Sequence, residues 1–267
     1  MSVWAGGTIS ERALCVLAPN ASPMTLDGTN TWVLAEPGAR RSVVIDPGPL
    51  DDGHLAAVLA AATAGDRAVG LVIVTHRHPD HTEGAAAFAE LAQAPVRAVD
   101  PEFRERGGGG LSEGDRISVD GLDVQVLATP GHTSDSVTLL LPADRAILTG
   151  DTVLGRGTTV VAHPDGKLAD YLASLERLHA MTPEPVAVVY PGHGPVLPHA
   201  GEAIGYYLKH RQERLQQVRA AVAAGDRTPR DVVERVYSDV DPVLWPYAEW
   251  SVAAQLEYLG VSIDQSG

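Results

Sequence analysis

Short apolar runs recur through the first three-quarters of the chain, each cut off by glycine, proline or aspartate. Residues 13–18, 31–35, 42–46, 71–75, 96–99, 122–128, 136–141, 145–150 and 186–190 read as strands. The run "LVIVT" at 71–75 is apolar on both faces, which predicts a buried strand. The run "LDVQVLA" at 122–128 alternates, which predicts one polar face. Helical spacing appears at 54–64, 82–93, 168–181, 200–224, 228–237 and 242–259. In the last stretch Trp245, Trp250, Leu256 and Leu259 are expected to pack as core. Thr228 is a candidate N-cap with Pro229 in the first turn, and Gly260 is a candidate C-terminal stop. The pattern predicts a mixed α/β part over 1–204 and a helical part over 205–267. The run "RGGGG" at 106–110 reads as a flexible loop, and no internal repeat is found.

Composition adds limits. The chain has 267 residues, 45% apolar and 20% charged, enough to build a core. Its one cysteine, Cys15, excludes an internal disulfide. The opening "MSVWAGGTIS" has no basic and apolar leader, and no run of ~18 apolar residues exists. The expectation is therefore a cytoplasmic protein without a membrane span. Net charge is −14, which argues against a non-specific nucleic-acid coat. Some of that charge would be metal ligands, where a bound cation reverses the local sign.

The chemistry concentrates at strand ends. In "VTHRHPDHTEG" (74–84) the predicted strand runs out at Thr75, and His76, His78, Asp80 and His81 follow within six positions. On extended backbone His76 and His78 face the same way, and Pro79 keeps the loop out of the next helix. Imidazole nitrogen and carboxylate oxygen are what Zn2+ takes. Three further strands end alike: "TPGHTSDS" with His132, "LTGDT" with Asp151 and "YPGHG" with His193. Any one of these alone reads as an ordinary polar turn. Five of the ten histidines at such ends argue for a shared metal site. The seven ligands divide into two sets, and Asp151, with two oxygens, can reach both.

"THRHPDH", "TPGHTSDS", "LTGDT" and "YPGHG" resemble the metal motifs of the metallo-β-lactamase fold hydrolases, over about residues 10–200. The resemblance implies a four-layer αβ/βα sandwich with a two-metal site at one edge. His76, His78 and His132 would bind one metal, and Asp80, His81 and His193 the other. Asp151 would bridge, and Asp46, ending "SVVID", would steady the ligand loop. "PNASPMTLDGTNTWVL" (19–34), "TGDTVLGRGTTVV" (149–161), "YPGHGPV" and "HRQER" (210–214) are similar to the β-lactamase-like protein 2 group. That resemblance implies a small helical, winged-helix-like C-terminal domain at 205–267. It also implies a candidate endoribonuclease activity on single-stranded RNA.

Redox di-iron members of the fold carry Glu where this chain has His78. The cysteine ligand of several true β-lactamases has no counterpart near the motifs. The long arm of the tRNA 3′-processing nucleases and the glutathione-binding residues of glyoxalase II find no match. Small esters, thioesters and lactones remain alternative substrates, as does a β-lactamase-like activity. The expected cofactors are two Zn2+, with Mn2+ or Fe2+ as alternatives. A metal-bound hydroxide is the expected nucleophile, with Asp80 orienting it. Thr29, Asn30, Thr158 and Thr159 are expected to flank the site as substrate-binding residues. Tyr207, His210, Arg211 and Arg214 share one face of a helix, where Arg211 would pair a phosphate. The oligomeric state is not readable from the sequence.

Overall fold

The computed structural model describes residues 3–261. Two mixed sheets lie face to face, with helices on both outer surfaces. The first sheet has the order β1 (Gly7–Thr8), β2 (Ala13–Leu17), β3 (Asn30–Leu34), β4 (Arg41–Ile45), β5 (Ala68–Ile73) and β6 (Val96–Arg97). The second runs β11 (Val188–Pro191), β10 (Ala146–Gly150), β9 (Val137–Leu141), β8 (Leu122–Ala128), β7 (Arg116–Val119). Helices α1 (Asp52–Ala62), α2 (Pro79–Thr82) and α3 (Ala85–Ala92) follow strands of the first sheet, and α4 (Leu168–Ala180) precedes β11. Three helices close the described chain: α5 (Ala200–Ala223), α6 (Pro229–Val236) and α7 (Trp245–Tyr258).

Period-two alternation decides the layers. Trp32, Leu34, Val43, Ile45, Leu71 and Ile73 point between the sheets, where they meet Val124, Val126, Leu139 and Leu148. Their sequence neighbours Val33, Val44 and Val72 point outward into a second cluster with Leu55, Val58 and Phe88 of α1 and α3. Likewise Leu140, Ile147 and Val189 turn outward against Leu175 and Leu178 of α4 and Ile204 of α5. The result is the expected four-layer αβ/βα sandwich. Trp32 and Tyr190 stack across the two sheets, centroids 4.8 Å apart, which adds about 1 kcal/mol to plain burial.

Most predicted elements appear with small shifts in their bounds. The stretch 82–93 holds α3, and Pro79 does not keep the ligand loop out of helix: as a first-turn residue it begins the short α2, which takes in Asp80 and His81. Strand β7, "RISV", has no counterpart among the expected strands. It pairs with β8 through Asp120 and Gly121, both at positive φ, with Val119 opposite Leu122. That Asp-Gly pair is a two-residue hairpin signal that the apolar-run search passes over. "RGGGG" is no loose spacer. A Cβ at Gly108 would overlap the Val96 carbonyl, and Gly110 accepts from the Arg97 guanidinium at 3.1 Å. The glycines there serve close approach to β6.

The C-terminal part is helical, and no strand follows β11 among the described residues. Thr228 caps α6 in a reciprocal capping box with Asp231, and Gly260 follows α7 at φ +68°. Residue 204 lies inside α5. That helix places Ala200, Ile204 and Tyr207 against the second sheet, and Val218 and Ala221 in a separate cluster with Val232, Val252 and Leu256. One expectation for α7 fails. Leu256 is buried, and Trp245 and Leu259 pack against the same cluster, but Trp250 is 48% exposed. At about 100° per residue, Trp250 lies about 140° round the helix from Trp245, on another face. No helix among the described residues is long and apolar enough to cross a membrane.

Candidate metal centre

Strands β4 and β5 run parallel, as do β10 and β11, and β8 runs parallel to β10 through its antiparallel neighbour β9. Their C-terminal ends therefore gather at one edge of the sandwich, where backbone must leave the ladder and side chains can converge. The amide of Val137 donates to Thr75, and the amide of Asn30 to Gly192, so the two sheets are tied together at that edge.

Two clusters form there. His76, His78, His132 and Asp151 present one ligand atom each, all within 4.8 Å of one another, and Asp80, His81 and His193 form a second such group. Four of the five histidines are aimed by a bond on the other nitrogen. His81 Nδ1 lies 2.9 Å from Asp46 Oδ2, and His132 Nδ1 2.7 Å from the Val160 carbonyl. His193 Nδ1 lies 3.1 Å from the Gly28 carbonyl, and His76 Nδ1 3.0 Å from Thr75 Oγ1. A ring that donates from Nδ1 must offer the lone pair of Nε2. His78 turns its Nδ1 inward instead, 3.1 Å from His76 Nε2 and 2.9 Å from His132 Nε2.

Asp46 is the hub beneath this shell. Its carboxylate accepts from the amide and hydroxyl of Thr75, both at 2.7 Å, and contacts His81. It does so from a left-handed backbone, φ +52°, a conformation that costs energy in any residue but glycine. Behind it, His54 Nε2 lies 2.9 Å from Thr31 Oγ1, which donates to the Asp46 carbonyl. Arg77, between two ligand histidines, pairs with Asp100 and Asp135 and so fixes the loop from outside.

The electrostatics of the two clusters differ. Burial pushes His76 and His78 down and His132 to about 4, so these rings are neutral. Burial also works against charge on His193, but the Asp151 and Asp80 carboxylates outweigh it and raise its pKa to about 9. His81 is raised for the same reason, by Asp80, Asp151 and Asp46. Asp80 and Asp151 are held well below the usual carboxylate range, because the histidines around them outweigh burial.

The arrangement fits divalent cations. Three neutral imidazoles turn ring nitrogens toward one another at 2.9–3.1 Å, the convergence of donors that a cation takes. Asp151 Oδ1 is buried without a hydrogen-bond partner, while Oδ2 lies 3.7 Å from His132 Nε2 and 3.2 Å from His193 Nε2. Asp151 thus stands between the clusters. Gly192 must be glycine here, since a Cβ would overlap Asp151 Oδ1.

A cavity of about 380 Å3 opens over the centre. Its floor includes His78, Asp80, His132, Asp151 and His193. Its walls come from Pro23, Met24 and Leu26 on one loop, from Thr158, Thr159, Val160 and Ala162 on another, and from Tyr247 and Trp250 of α7. Arg156 is the one Lys or Arg in the lining, and it pairs with Asp27.

The remaining expected substrate residues divide. Thr158 and Thr159 line the cavity. Thr29 is fully buried and donates to Asp80 Oδ2 at 2.9 Å, so it serves the shell. Asn30 is also buried, donating to the Pro191 and Gly194 carbonyls. Arg211 departs furthest from expectation. It is 7% exposed, outside the cavity lining, with its guanidinium over the Tyr171 ring and donating to the Thr159 carbonyl. Tyr207 is buried, and its hydroxyl accepts from the Leu154 amide at 2.8 Å. Arg214 donates to the Val236 carbonyl. The expected phosphate-binding face is therefore an inward one, because the 154–160 segment lies against α5. Arg211 instead holds the loop whose next carbonyl, Val160, orients His132.

The fold and this centre define the class. The chain belongs to the metallo-β-lactamase superfamily, a family of metal-dependent hydrolases, whose model matches residues 24–193. Among individual relatives, it is 30% identical over 238 residues to a β-lactamase-like protein 2 homolog of Caenorhabditis elegans, covering 86% of this chain and 78% of that one. It is 33% identical over 229 residues to an atrochrysone carboxyl ACP thioesterase of Aspergillus fumigatus, covering 84% and 69%. The crystal structure of a β-lactamase domain protein from Burkholderia ambifaria superposes with a TM-score of 0.80 at 23% identity, over 96% of this chain and 87% of that one. Fold and clusters together imply a divalent metal.

Proposed function

We propose that this protein is a two-zinc hydrolase of carboxylic esters or thioesters with an apolar acyl group. The observation that carries this reading is the contrast inside one cavity. Its floor is an array of nitrogen and carboxylate donors, and its walls are aliphatic and aromatic, with Arg156 already paired to Asp27. A nucleic-acid strand needs cations along its path, and this cavity's lining holds only Arg156, paired to Asp27, with Arg211 buried outside it. The name of the Aspergillus fumigatus relative, a thioesterase, supports the same reading.

In this reading His76, His78 and His132 hold one zinc and Asp80, His81 and His193 the other, with Asp151 shared. Bound there, the pair supplies Lewis acidity that brings a water's pKa toward neutrality and polarises the acyl carbonyl. The protein's own part is positioning. Asp46, Thr75, Val160 and Gly28 hold the imidazoles so that their lone pairs are presented without reorganisation. Asp80 stays ionised, is held by Thr29, and reaches the cavity floor, where its carboxylate would orient the attacking water as well as hold metal. The apolar walls exclude bulk water and seat the acyl chain.

The test is direct. Zinc-loaded protein is given acyl N-acetylcysteamine thioesters and a labelled single-stranded RNA, with Asp151→Ala as control. Thioester hydrolysis lost in the control, with intact RNA, is the expected result. Metal-dependent RNA cleavage without thioester turnover would overturn it in favour of the ribonuclease reading.

A further inference from the structure

The walls of the cavity are not alike. Pro23, Met24, Leu26, Val160 and Ala162 are aliphatic or small and accept any apolar group. Tyr247 and Trp250 are different in kind. They lie three apart on α7 and so share one face of the helix. Their rings meet at 85° with centroids 5.3 Å apart, which makes a corner. A third flat ring placed in such a corner can stack on one ring and meet the edge of the other, the two arrangements aromatic pairs prefer. Trp250 is 48% exposed, although burying an indole is favourable. Part of its surface lines the same cavity as His132 and Asp151. The corner is also fixed relative to the cluster. The His163 amide donates to the Trp250 carbonyl at 3.5 Å, and Lys167 pairs with Glu257 two turns further along the same face.

We propose that Tyr247 and Trp250 form a specificity-determining subsite for a planar aromatic group in the acyl part of the substrate. The proposal rests on the ester and thioester reading above for the reaction, but not for the binding. The helical C-terminal part then supplies the selectivity, and the sandwich supplies the chemistry.

The experiment has two arms. In the first, N-acetylcysteamine thioesters of 2-naphthoic acid and of decanoic acid are compared on wild type, Trp250→Ala and Trp250→Phe. The naphthoyl-over-decanoyl preference in kcat/KM should fall about 5- to 10-fold in Trp250→Ala, through KM, and be largely recovered in Trp250→Phe. An unchanged preference in Trp250→Ala would overturn the proposal, as would equal loss on both substrates. The second arm needs no turnover. Binding of 2-naphthoate, measured by calorimetry, should weaken by a similar factor in Trp250→Ala and Tyr247→Ala. If neither thioester is hydrolysed but this binding behaves as expected, the reaction assignment fails and the subsite stands. If naphthoate binds wild type and both variants alike, the subsite is withdrawn whatever the reaction.

Discussion

The two sides of the cavity were built by different rules. The ligand side is made of largely buried side chains on strand-end loops and the short α2, four of its five imidazoles aimed by a bond on Nδ1 and the loops tied to one another by backbone bonds. The opposite side is made of the 23–26 loop, the 156–162 loop and one face of α7, with few polar contacts and large exposed surface. The first side sets what bond can be broken and tolerates no movement. The second sets what can enter and tolerates exchange of one apolar residue for another. The difference teaches that chemistry and selectivity in this fold sit largely on different segments, joined where the Val160 carbonyl of the 156–162 loop meets His132.

The largest effect should come from the hinge of the ligand side. Asp151→Ala removes the one carboxylate between the clusters. It should lower kcat/KM by about a thousandfold or more and release metal, as measured by elemental analysis alongside turnover. Retained metal and activity would break the comparison. Asp46→Ala leaves every ligand in place but frees Thr75 and His81. It should cost about 10- to 100-fold in metal affinity, read by competition with a chromophoric chelator.

Arg211 joins the two sides, and its replacement tests whether they are truly separable. Arg211→Met leaves the Thr159 carbonyl without its charged donor. It should cost about 2 kcal/mol in urea denaturation and loosen His132, with a several-fold loss of metal affinity. An effect on stability alone would mean that the loop holds His132 without help from α5. The smallest effect should come from the rim: Asp27→Asn unpairs Arg156 at a half-exposed site. It should change stability by no more than about 1 kcal/mol, in thermal unfolding.

The two clusters also predict opposite pH behaviour in metal-free protein. His76, His78 and His132 have folded pKa values below the usual 6.5, so they add stability above that pH that is lost as pH falls through their folded values, about 4 for His132. His81 and His193 have raised values, so their contribution is complete below 6.5 and is lost as pH rises through their folded values, about 9 for His193. Chelator-treated protein should therefore melt highest near pH 6.5. A melting temperature that rises steadily from pH 6.5 to 9 would contradict the assignment of charge to the second cluster.

The ligand side was legible because strand ends carry their own markers. "LVIVT" announces a buried strand, and the residues after it have nowhere to go but the edge. The resemblance of "THRHPDH" and its three companions then implied which loops meet. Thr75 was not singled out, although it lies between the strand and the first ligand, because a threonine there looks like any strand residue. The opposite side was hidden for a different reason. Which loop covers α5, and which stripe of α7 faces a cavity, depends on contacts between segments far apart in the chain. Trp250 was placed in the core by its apolar character alone, when its angular position on the helix already separated it from Trp245, Val252 and Leu256. Arg211 was expected to pair a substrate phosphate because nothing in the helix itself reveals the 154–160 segment lying against it.

Helix α5 has a consequence of its own. It runs unbroken from the second sheet into the helical cluster that carries Tyr247 and Trp250. Each added residue within it would advance the far half by 1.5 Å and turn it by about 100°. A single insertion between Tyr207 and Val218 would swing the aromatic corner away from the metal centre, whereas seven residues would nearly restore its bearing at a greater distance. The pocket's reach toward larger acyl groups is thus geared to the helical pitch, and lineages that lengthen this helix should do so in near-whole turns.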